Sequence, residues 1–273
     1  GNGAAAALFR AILRDIYSGE ELASIGSYFA NILKAILIMA PILGGFFEAY
    51  FSWHASFVFL ILWTIISISM VQINFKTPKK ETKEKPSRIS PKAAYISLLK
   101  SSIFMGSCLC NFLTYGGMFA WITASSPLLV VQLGMSSMSF GFSSGLVGFG
   151  LVVGALFNGR FVKKYGMHTM AEAGWIIIMG SGLLVSLGCF LFGASIPLVV
   201  LGAFLFYLGS SFTFPNLNAL AMTPYAEIAG TASGLYSFIQ LSGGALVSYF
   251  MASMSYENHV ILGAFFLISG KGK

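Results

Sequence analysis

Charged side chains are scarce in this chain. Asp, Glu, Lys and Arg make up 9% of its 273 residues, whereas 56% of the residues are hydrophobic. A soluble globular protein has about 25% charged residues, so a chain of this composition would not stay dissolved in water. The scarcity of charge excludes most classes of soluble enzyme and indicates a membrane protein.

Cysteine is also rare, and its positions argue against a metal site. The three cysteines, Cys108, Cys110 and Cys189, lie inside apolar runs. Cys108 and Cys110 are two residues apart, so on a helix their side chains point about 200° away from each other. Since no His or carboxylate follows closely enough to complete a site, we expect buried packing cysteines, no bound metal and no cofactor.

Signatures of catalysis are absent from the sequence. It has no Gly-Lys-Ser/Thr loop, which ATP-driven proteins use to hold nucleotide phosphates. His54, His168 and His259 fall in different boundary regions, and none of them suggests a pair of nucleophile and base. We therefore predict that the chain is not an enzyme.

Long apolar runs dominate what is present. Each is long enough to cross a hydrocarbon core about 30 Å thick as a helix of about 20 residues. The sequence predicts seven complete crossings, with a partial crossing at each end of the chain. The complete crossings are predicted at 23–47, 54–75, 101–124, 140–161, 170–193, 196–217 and 229–254.

The positions of the positive charges predict an orientation. All Lys and Arg residues except Lys34 lie between the apolar runs or at their ends. Because cationic loops stay in the cytoplasm, we predict that the segment 76–95 and the C-terminus are cytoplasmic and that the uncharged segment 125–139 is external. The net charge of +7 then reflects membrane topology and not a nucleic-acid-binding face.

The segment 76–95 divides the chain in two. It is rich in Lys and contains Pro78, Pro86 and Pro91, so it cannot bury enough apolar surface to fold. We predict a flexible cytoplasmic linker between two membrane domains, 1–75 and 96–273. A transporter built from two six-helix repeats would have this organisation if its first three helices were missing.

Two segments of the first domain resemble motifs of one transporter family. Residues 40–45, Ala-Pro-Ile-Leu-Gly-Gly, are similar to the antiporter motif on the fifth helix of major facilitator drug exporters. The motif residues carried over are Pro41, Gly44 and Gly45, while Ala40 and Ile36 stand where the motif usually has glycine. Residues 1–15 contain Gly-Asn-Gly and then Arg-Ala-x-x-Arg-Asp, which resembles the fourth helix of the Bcr/CflA drug:proton antiporters.

The second domain carries two further resemblances. Gly159-x-x-x-Lys163-Lys164-x-Gly166 has the spacing of the superfamily's loop motif Gly-x-x-x-Asp-Arg-x-Gly, in which the charged pair pins adjacent helix ends while the domains rock. Lys163 replaces the Asp, so a cytoplasmic turn with helix-ending glycines is the alternative interpretation. Residues 231–234, Thr-Ala-Ser-Gly, are similar to the start of the family's eleventh helix.

Taken in order along the chain, these motifs resemble the major facilitator superfamily, and most of all its Bcr/CflA multidrug exporters. The resemblance implies an all-α polytopic membrane protein with two helical bundles and a basic cytoplasmic linker, N-terminally truncated, from late in the fourth helix to part of the twelfth. It implies a monomer in the bacterial inner membrane. Such a protein exports drugs or other amphipathic small molecules by alternating access, in exchange for protons.

The resemblance also implies a limit. In these antiporters the acid that titrates inside the membrane is usually on the first helix, and the carboxylates of this chain lie in loops or at the ends of apolar runs. We therefore predict that residues 1–273 alone do not couple export to a proton gradient. A facilitator for a sugar, siderophore or other metabolite stays open as an alternative, because a shared fold does not decide the substrate. A non-transporting or degenerate product is the third possibility.

Polar and aromatic residues inside the crossings are candidates for a substrate cavity. Lys34 lies deep in its crossing, where a charge costs about 3 kcal/mol unless it faces water or a partner. It shares a helix face with Asn31. Its role is to attract anionic substrate groups or to exchange protons, and the alternative is a snorkelling or paired structural lysine. The other candidates are Asn111, Tyr115, Phe119, Tyr236 and Gln240, with Tyr207, Phe212, Asn216 and Asn218 as weaker ones. Such groups suit amphipathic ligands, although each aromatic ring has packing or lipid contact as its alternative role.

Overall fold

Helices make up all the regular structure that is described. The computed structural model describes residues 19–74 and 90–253. Within these ranges there is no β-strand, which confirms the predicted all-α class. The helices are α1 Gly19–Tyr50, α2 Trp53–Asn74, α3 Pro91–Lys100, α4 Ser102–Ser126, α5 Ser137–Phe192, α6 Ile196–Met222 and α7 Ala229–Ser253.

Several of these helices are suited to a membrane. Within the described ranges five stretches are long and apolar enough to cross one, and α1 adds a shorter apolar stretch, Ile38–Tyr50. The five are Trp53–Ile73, Ser102–Gln132, Ser137–Phe192, Ile196–Tyr225 and Ala229–Ser253. A multi-pass membrane protein is the fold class that follows.

The longest helix, α5, contains a sharp turn at Gly166. This residue has φ 82° and ψ 161°, a backbone conformation that favours glycine. Both arms of α5 pack on α6, the first arm parallel to it and the second antiparallel. The residues in contact are Gly150 with Phe204 and Asn158 with Asn216 in the first arm, and Gly174 with Gly209 and Gly188 with Leu198 in the second. Gly166 therefore separates the two crossings predicted at 140–161 and 170–193.

The external loop predicted over 125–139 is much shorter in the structure. The chain continues from α4 into a π-helical turn, Pro127–Gln132, which leaves only 133–136 as a connection to α5. Pro127 has no N–H to donate to the preceding helical turn. The helix widens there, and the N–H of Leu133 donates to the carbonyl oxygen of Leu128 at 3.1 Å. The uncharged residues of this segment therefore extend an apolar helix and do not form a long loop.

The predicted linker is also shorter at its C-terminal side. Ser90 caps α3, because its Oγ accepts the N–H of Ala93 at 3.3 Å, and Pro91 occupies the first turn, where a proline is well tolerated. Residues 91–95 of the predicted linker therefore belong to α3. The remainder, 76–89, lies outside the described residues.

The two ends of the structure differ in charge. The turns at 51–52, 133–136 and 193–195 lie at one end, which we call the outer end. Gly166, α3 and the 3₁₀ turn Thr223–Ile228 lie at the opposite, inner end. The described Lys and Arg side chains gather at the inner end: Lys92, Lys100, Arg160, Lys163 and Lys164. The alternation of the turns between the two ends follows the predicted order of crossings, and the cytoplasmic location of the inner end stays a prediction.

The main hydrophobic core lies in the second domain, among α4, α5, α6 and α7. Its fully buried members include Phe206, Ile178, Val147 and Val185. In contrast, the membrane-length stretch of α2 buries none of its residues. The first domain therefore reaches the second through α1, which packs along the first arm of α5.

Candidate functional site

The two domains touch where α1 meets α5 near the outer end. A Cβ placed at Gly45 would lie 2.6 Å from the carbonyl oxygen of Ser137 and 3.1 Å from the Cα of Gly141. A Cβ placed at Gly141 would lie 2.7 Å from the carbonyl oxygen of Pro41. Only glycine allows two membrane helices to approach this closely. We call the contact made by Pro41, Gly45, Ser137 and Gly141 the outer seam.

The seam contains two of the three residues carried over from the antiporter motif. Pro41 and Gly45 contact α5, whereas a Cβ at Gly44 would meet no atom within 4 Å. The contact continues for another helical turn, because a Cβ at Gly145 would lie 2.9 Å from Cδ1 of Ile42. The sequence motif therefore marks a real interface, and its glycines have different surroundings.

The loop motif lies at the inner end of α5. Gly159, Lys163 and Lys164 are exposed on the last turns of the first arm, and Gly166 makes the turn to the second arm. The Lys164 Nζ lies 5.1 Å from the ring centroid of Tyr165. Among the described side chains, no carboxylate lies within 4 Å of Lys163 or Lys164. A gating role for this motif stays a prediction.

Asn111 and Tyr236 lie buried between α4 and α7. They are 1% and 2% exposed, and the ring centroid of Tyr236 lies 6.4 Å from that of Phe104. Neither Asn111 Oδ1 nor the Tyr236 hydroxyl has a hydrogen-bond partner in the described part of the chain. A buried polar group without a partner costs about 1–3 kcal/mol, so these two atoms mark a place where a polar ligand or water would stabilise the protein.

The next candidates form an aromatic group in the second domain. The ring centroid of Tyr115 lies 5.1 Å from that of Phe119 and 5.9 Å from that of Phe214 on α6. Tyr115, Phe119 and Gln240 are half-buried. The structure thus brings the α4 candidates together with α6, and a substrate-lining role for them stays a prediction.

The remaining candidates have other surroundings or fall outside the description. Asn31 and Lys34 belong to α1, but their side chains lie outside the described residues. Tyr207 is buried and its hydroxyl donates to the carbonyl oxygen of Met118 at 3.4 Å. Phe212 is also buried, whereas Asn218 is exposed. The cysteines Cys108 and Cys189 are buried, and Cys110 is half-buried.

Comparison with known proteins decides the family. The model of the Major Facilitator Superfamily matches residues 1–248 of the chain. The chain belongs to the major facilitator superfamily. A bicyclomycin resistance protein homolog of Haemophilus influenzae is 26% identical over 248 residues, which cover 90% of this chain and 62% of that protein. Multidrug resistance protein D of Escherichia coli is 26% identical over 273 residues, with 99% and 67% covered.

A solved structure agrees with this major facilitator assignment. The crystal structure of a bacterial homologue of the iron transporter ferroportin, in its inward-facing state, matches with a TM-score of 0.70 and 15% identity. The match covers 95% of this chain and 63% of that one, and it confirms the predicted fold. The chain spans 60% to 67% of the length of the first three relatives that it matches.

Sequence reasoning missed one polar contact of this major facilitator chain. Asn216 Nδ2 donates to Asn158 Oδ1 and to the carbonyl oxygen of Phe212, both at 2.7 Å. Both asparagines are buried, and they join α5 to α6 at the inner end. Asn158 directly precedes Gly159 of the loop motif. An amide inside an apolar run commonly binds a neighbouring helix, so Asn158 itself was the available signal.

The glycines of α5 at the seam were missed as well. Gly141 and Gly145 are four residues apart, and this spacing of small residues is typical of close helix contacts in membranes. Their spacing indicates a close helix contact, but it does not identify the partner helix.

Among the described residues, no three His, Cys, Asp or Glu side chains lie close enough to hold a metal ion.

Proposed function

We propose that this chain is the greater part of a proton-driven exporter of drugs or other amphipathic small molecules in the bacterial inner membrane. Its family is a family of transporters, and two similar proteins are named for bicyclomycin resistance and multidrug resistance. The observation that carries the proposal is the outer seam, where a helix of the first domain touches a helix of the second, backbone to backbone.

The seam suits two bundles that rock against each other. At Gly45 and Gly141 the contact consists of backbone atoms, with no side chain of either residue inserted into the other helix. Such a surface separates and closes again without repacking of side chains. In the proposed cycle the seam is closed while the substrate enters from the inner end, and it opens to release the substrate outside.

The substrate is proposed to bind against α4 and α7 of the second domain, on the path between the inner and outer ends. Tyr115 and Phe119 offer aromatic surface, and the unpartnered atoms of Asn111 and Tyr236 offer hydrogen-bonding groups. This mixture suits an amphipathic molecule. Lys34 on α1 is the candidate charged group, and the titrating acid is expected outside this segment, as the resemblance implies.

Accumulation of ethidium or chloramphenicol in drug-sensitive bacteria tests the proposal. The complete gene is expressed in cells without their main efflux pumps, with and without a protonophore. We expect protonophore-sensitive efflux that is lost in Lys34→Ala and kept in Lys92→Ala, a control at an exposed lysine of α3. Unchanged accumulation in cells whose membranes contain the protein would contradict drug export and favour a facilitator for a specific metabolite.

A further inference from the structure

A cavity of about 280 Å³ opens beside the outer seam. The first domain lines it with Glu48 of α1 and Ser56 of α2. The second domain lines it with Ser126 at the end of α4 and Ser137 at the start of α5. The cavity is therefore shared between the two domains. It lies at the outer end, whereas Tyr236 packs towards the inner end against Phe104, whose ring also contacts that of Tyr225.

The polar groups of this outer cavity favour a cation. Glu48 contributes a carboxylate, which only accepts hydrogen bonds, and the three serines contribute hydroxyl oxygens that also accept. Within the described part of the chain no Lys, Arg or His nitrogen lies within 4 Å of the Glu48 carboxylate. The cavity thus has a carboxylate with no cationic side chain beside it among the described residues.

The apolar part of the lining favours an organic cation over a metal ion. Val130 and Phe140 face the same cavity. An aromatic ring attracts an ammonium group placed over its face. Val130 and Phe140 would both pack against the methyl or methylene groups of an organic cation. The volume lies just below the roughly 300–1,000 Å³ of sites that enclose drug-sized ligands, so the occupant is small.

We propose that the outer cavity binds a small organic ammonium group, held by Glu48 and packed against Val130 and Phe140. The ammonium belongs either to a free organic cation or to a lipid headgroup at the membrane surface. This site is separate from the substrate cavity of the proposed function, and its existence does not depend on drug export.

Binding here has a consequence for the seam. An occupant that contacts Glu48 in one domain and Ser137 in the other binds more tightly when the domains are together. By linkage, it shifts the population towards the closed seam. The site would therefore tune how readily the outer end opens.

Calorimetric titration of the purified protein with benzyltrimethylammonium chloride, in an uncharged detergent, tests the proposal. We expect saturable binding that Glu48→Gln weakens by about tenfold or more, because the neutral amide removes the Coulombic attraction between the carboxylate and the quaternary ammonium. Ser137→Ala should weaken it less. Glu172→Gln, which removes an exposed carboxylate at the inner end, should leave it unchanged.

A second variant tests the location by volume instead of charge. A Cβ at Gly44 meets no atom within 4 Å, so Gly44→Leu fills the cavity without displacing α5 and should abolish binding. Wild-type affinity in both Glu48→Gln and Gly44→Leu, or no saturable binding to the wild type, would overturn the proposal. Competition by added phosphatidylethanolamine would identify a lipid headgroup as the occupant, and its failure to compete would identify a free cation.

Discussion

Replacing Gly45 with alanine should open the outer seam without unfolding the protein. The new methyl group would lie 2.6 Å from the carbonyl oxygen of Ser137, whereas close carbon–oxygen contacts in proteins are about 3.3 Å. The difference, about 0.7 Å, is the local separation that α1 and α5 must undergo. Overpacking of this kind costs about 1–3 kcal/mol, and the cost disappears when the seam opens.

Two equilibria respond differently to this substitution. Alanine stabilises a helix relative to glycine by about 1 kcal/mol, which offsets part of the overpacking in the free energy of unfolding. The same gain is present whether the seam is closed or open, since α1 is helical in both conformations. The full overpacking cost of about 1–3 kcal/mol therefore raises the free energy of the closed seam relative to the open one. It shifts the ratio of open to closed molecules by about 5- to 150-fold.

Distances between spin labels would measure this shift. Labels at Ala49 and Ser139, both exposed and on opposite sides of the seam, report the separation of α1 from α5 once the three native cysteines are replaced. Gly45→Ala should add a population at longer distance. The free energy of unfolding should fall by only about 0–2 kcal/mol, because the helix gain of about 1 kcal/mol offsets part of the overpacking.

The control is Gly180→Ala, at a helical glycine of α5 whose Cβ would meet no atom within 4 Å. It should have the same helix gain and an unchanged distance distribution. If Gly45→Ala and Gly180→Ala give the same distribution as the wild type, the seam is not a closed contact and the reasoning is refuted. Adding Gly141→Ala to Gly45→Ala should have less than an additive effect, because both methyl groups relieve their overlap through one separation.

Three further substitutions test contacts inside the second domain. Asn216→Leu should lower the thermal unfolding midpoint, because it leaves the Asn158 amide without its partner at a cost of about 1–3 kcal/mol. Adding Asn158→Leu should recover part of the loss. A still larger loss in the double variant would contradict the proposed cost of the unpaired amide. Gly166→Ala should destabilise the folded protein by about 1–2 kcal/mol, because the φ of 82° at this position is unfavourable for alanine. Gly159→Ala should not destabilise it, so equal unfolding midpoints for the two variants would count against a role for the turn at Gly166. Tyr236→Phe removes a buried hydroxyl without a described partner, so its unfolding midpoint should stay the same or rise, and a clear fall would indicate a partner.

The sequence predicted the membrane helices well because bilayer thickness limits their length. The crossing predicted at 54–75 is α2, Trp53–Asn74, and the one predicted at 229–254 is α7, Ala229–Ser253. Helix ends at the membrane surface were harder, since apolar composition continues past the hydrocarbon core. The π-helical turn Pro127–Gln132, which lies within the predicted external loop, is an example.

The candidate site was less predictable than the fold. The motif around Gly45 indicated a close helix contact, but nothing in its own residues names Gly141 as the partner, because that pairing depends on how two distant helices pack. The same limit applies to Asn158 and Asn216. Local spacing predicts that a residue faces another helix, and tertiary packing decides which one.

Side-chain hydrogen bonds distinguish the described helix contacts of the second domain from the outer seam. Within the second domain, hydrogen bonds between side chains join separate helices, as between Asn158 and Asn216 or between Thr123 and Ser248. Separating such helices would leave polar groups without partners, at about 1–3 kcal/mol for each buried group, so these bonds oppose separation of the helices. At Gly45 and Gly141 the contact is between glycine Cα atoms and backbone oxygens, and opening it costs mainly dispersion contacts, which are individually small. Close glycine contacts also occur within the second domain, as between Gly174 and Gly209. What distinguishes the outer seam among the described helix contacts is therefore its lack of a side-chain hydrogen bond, which the proposed transport cycle would need where the domains part.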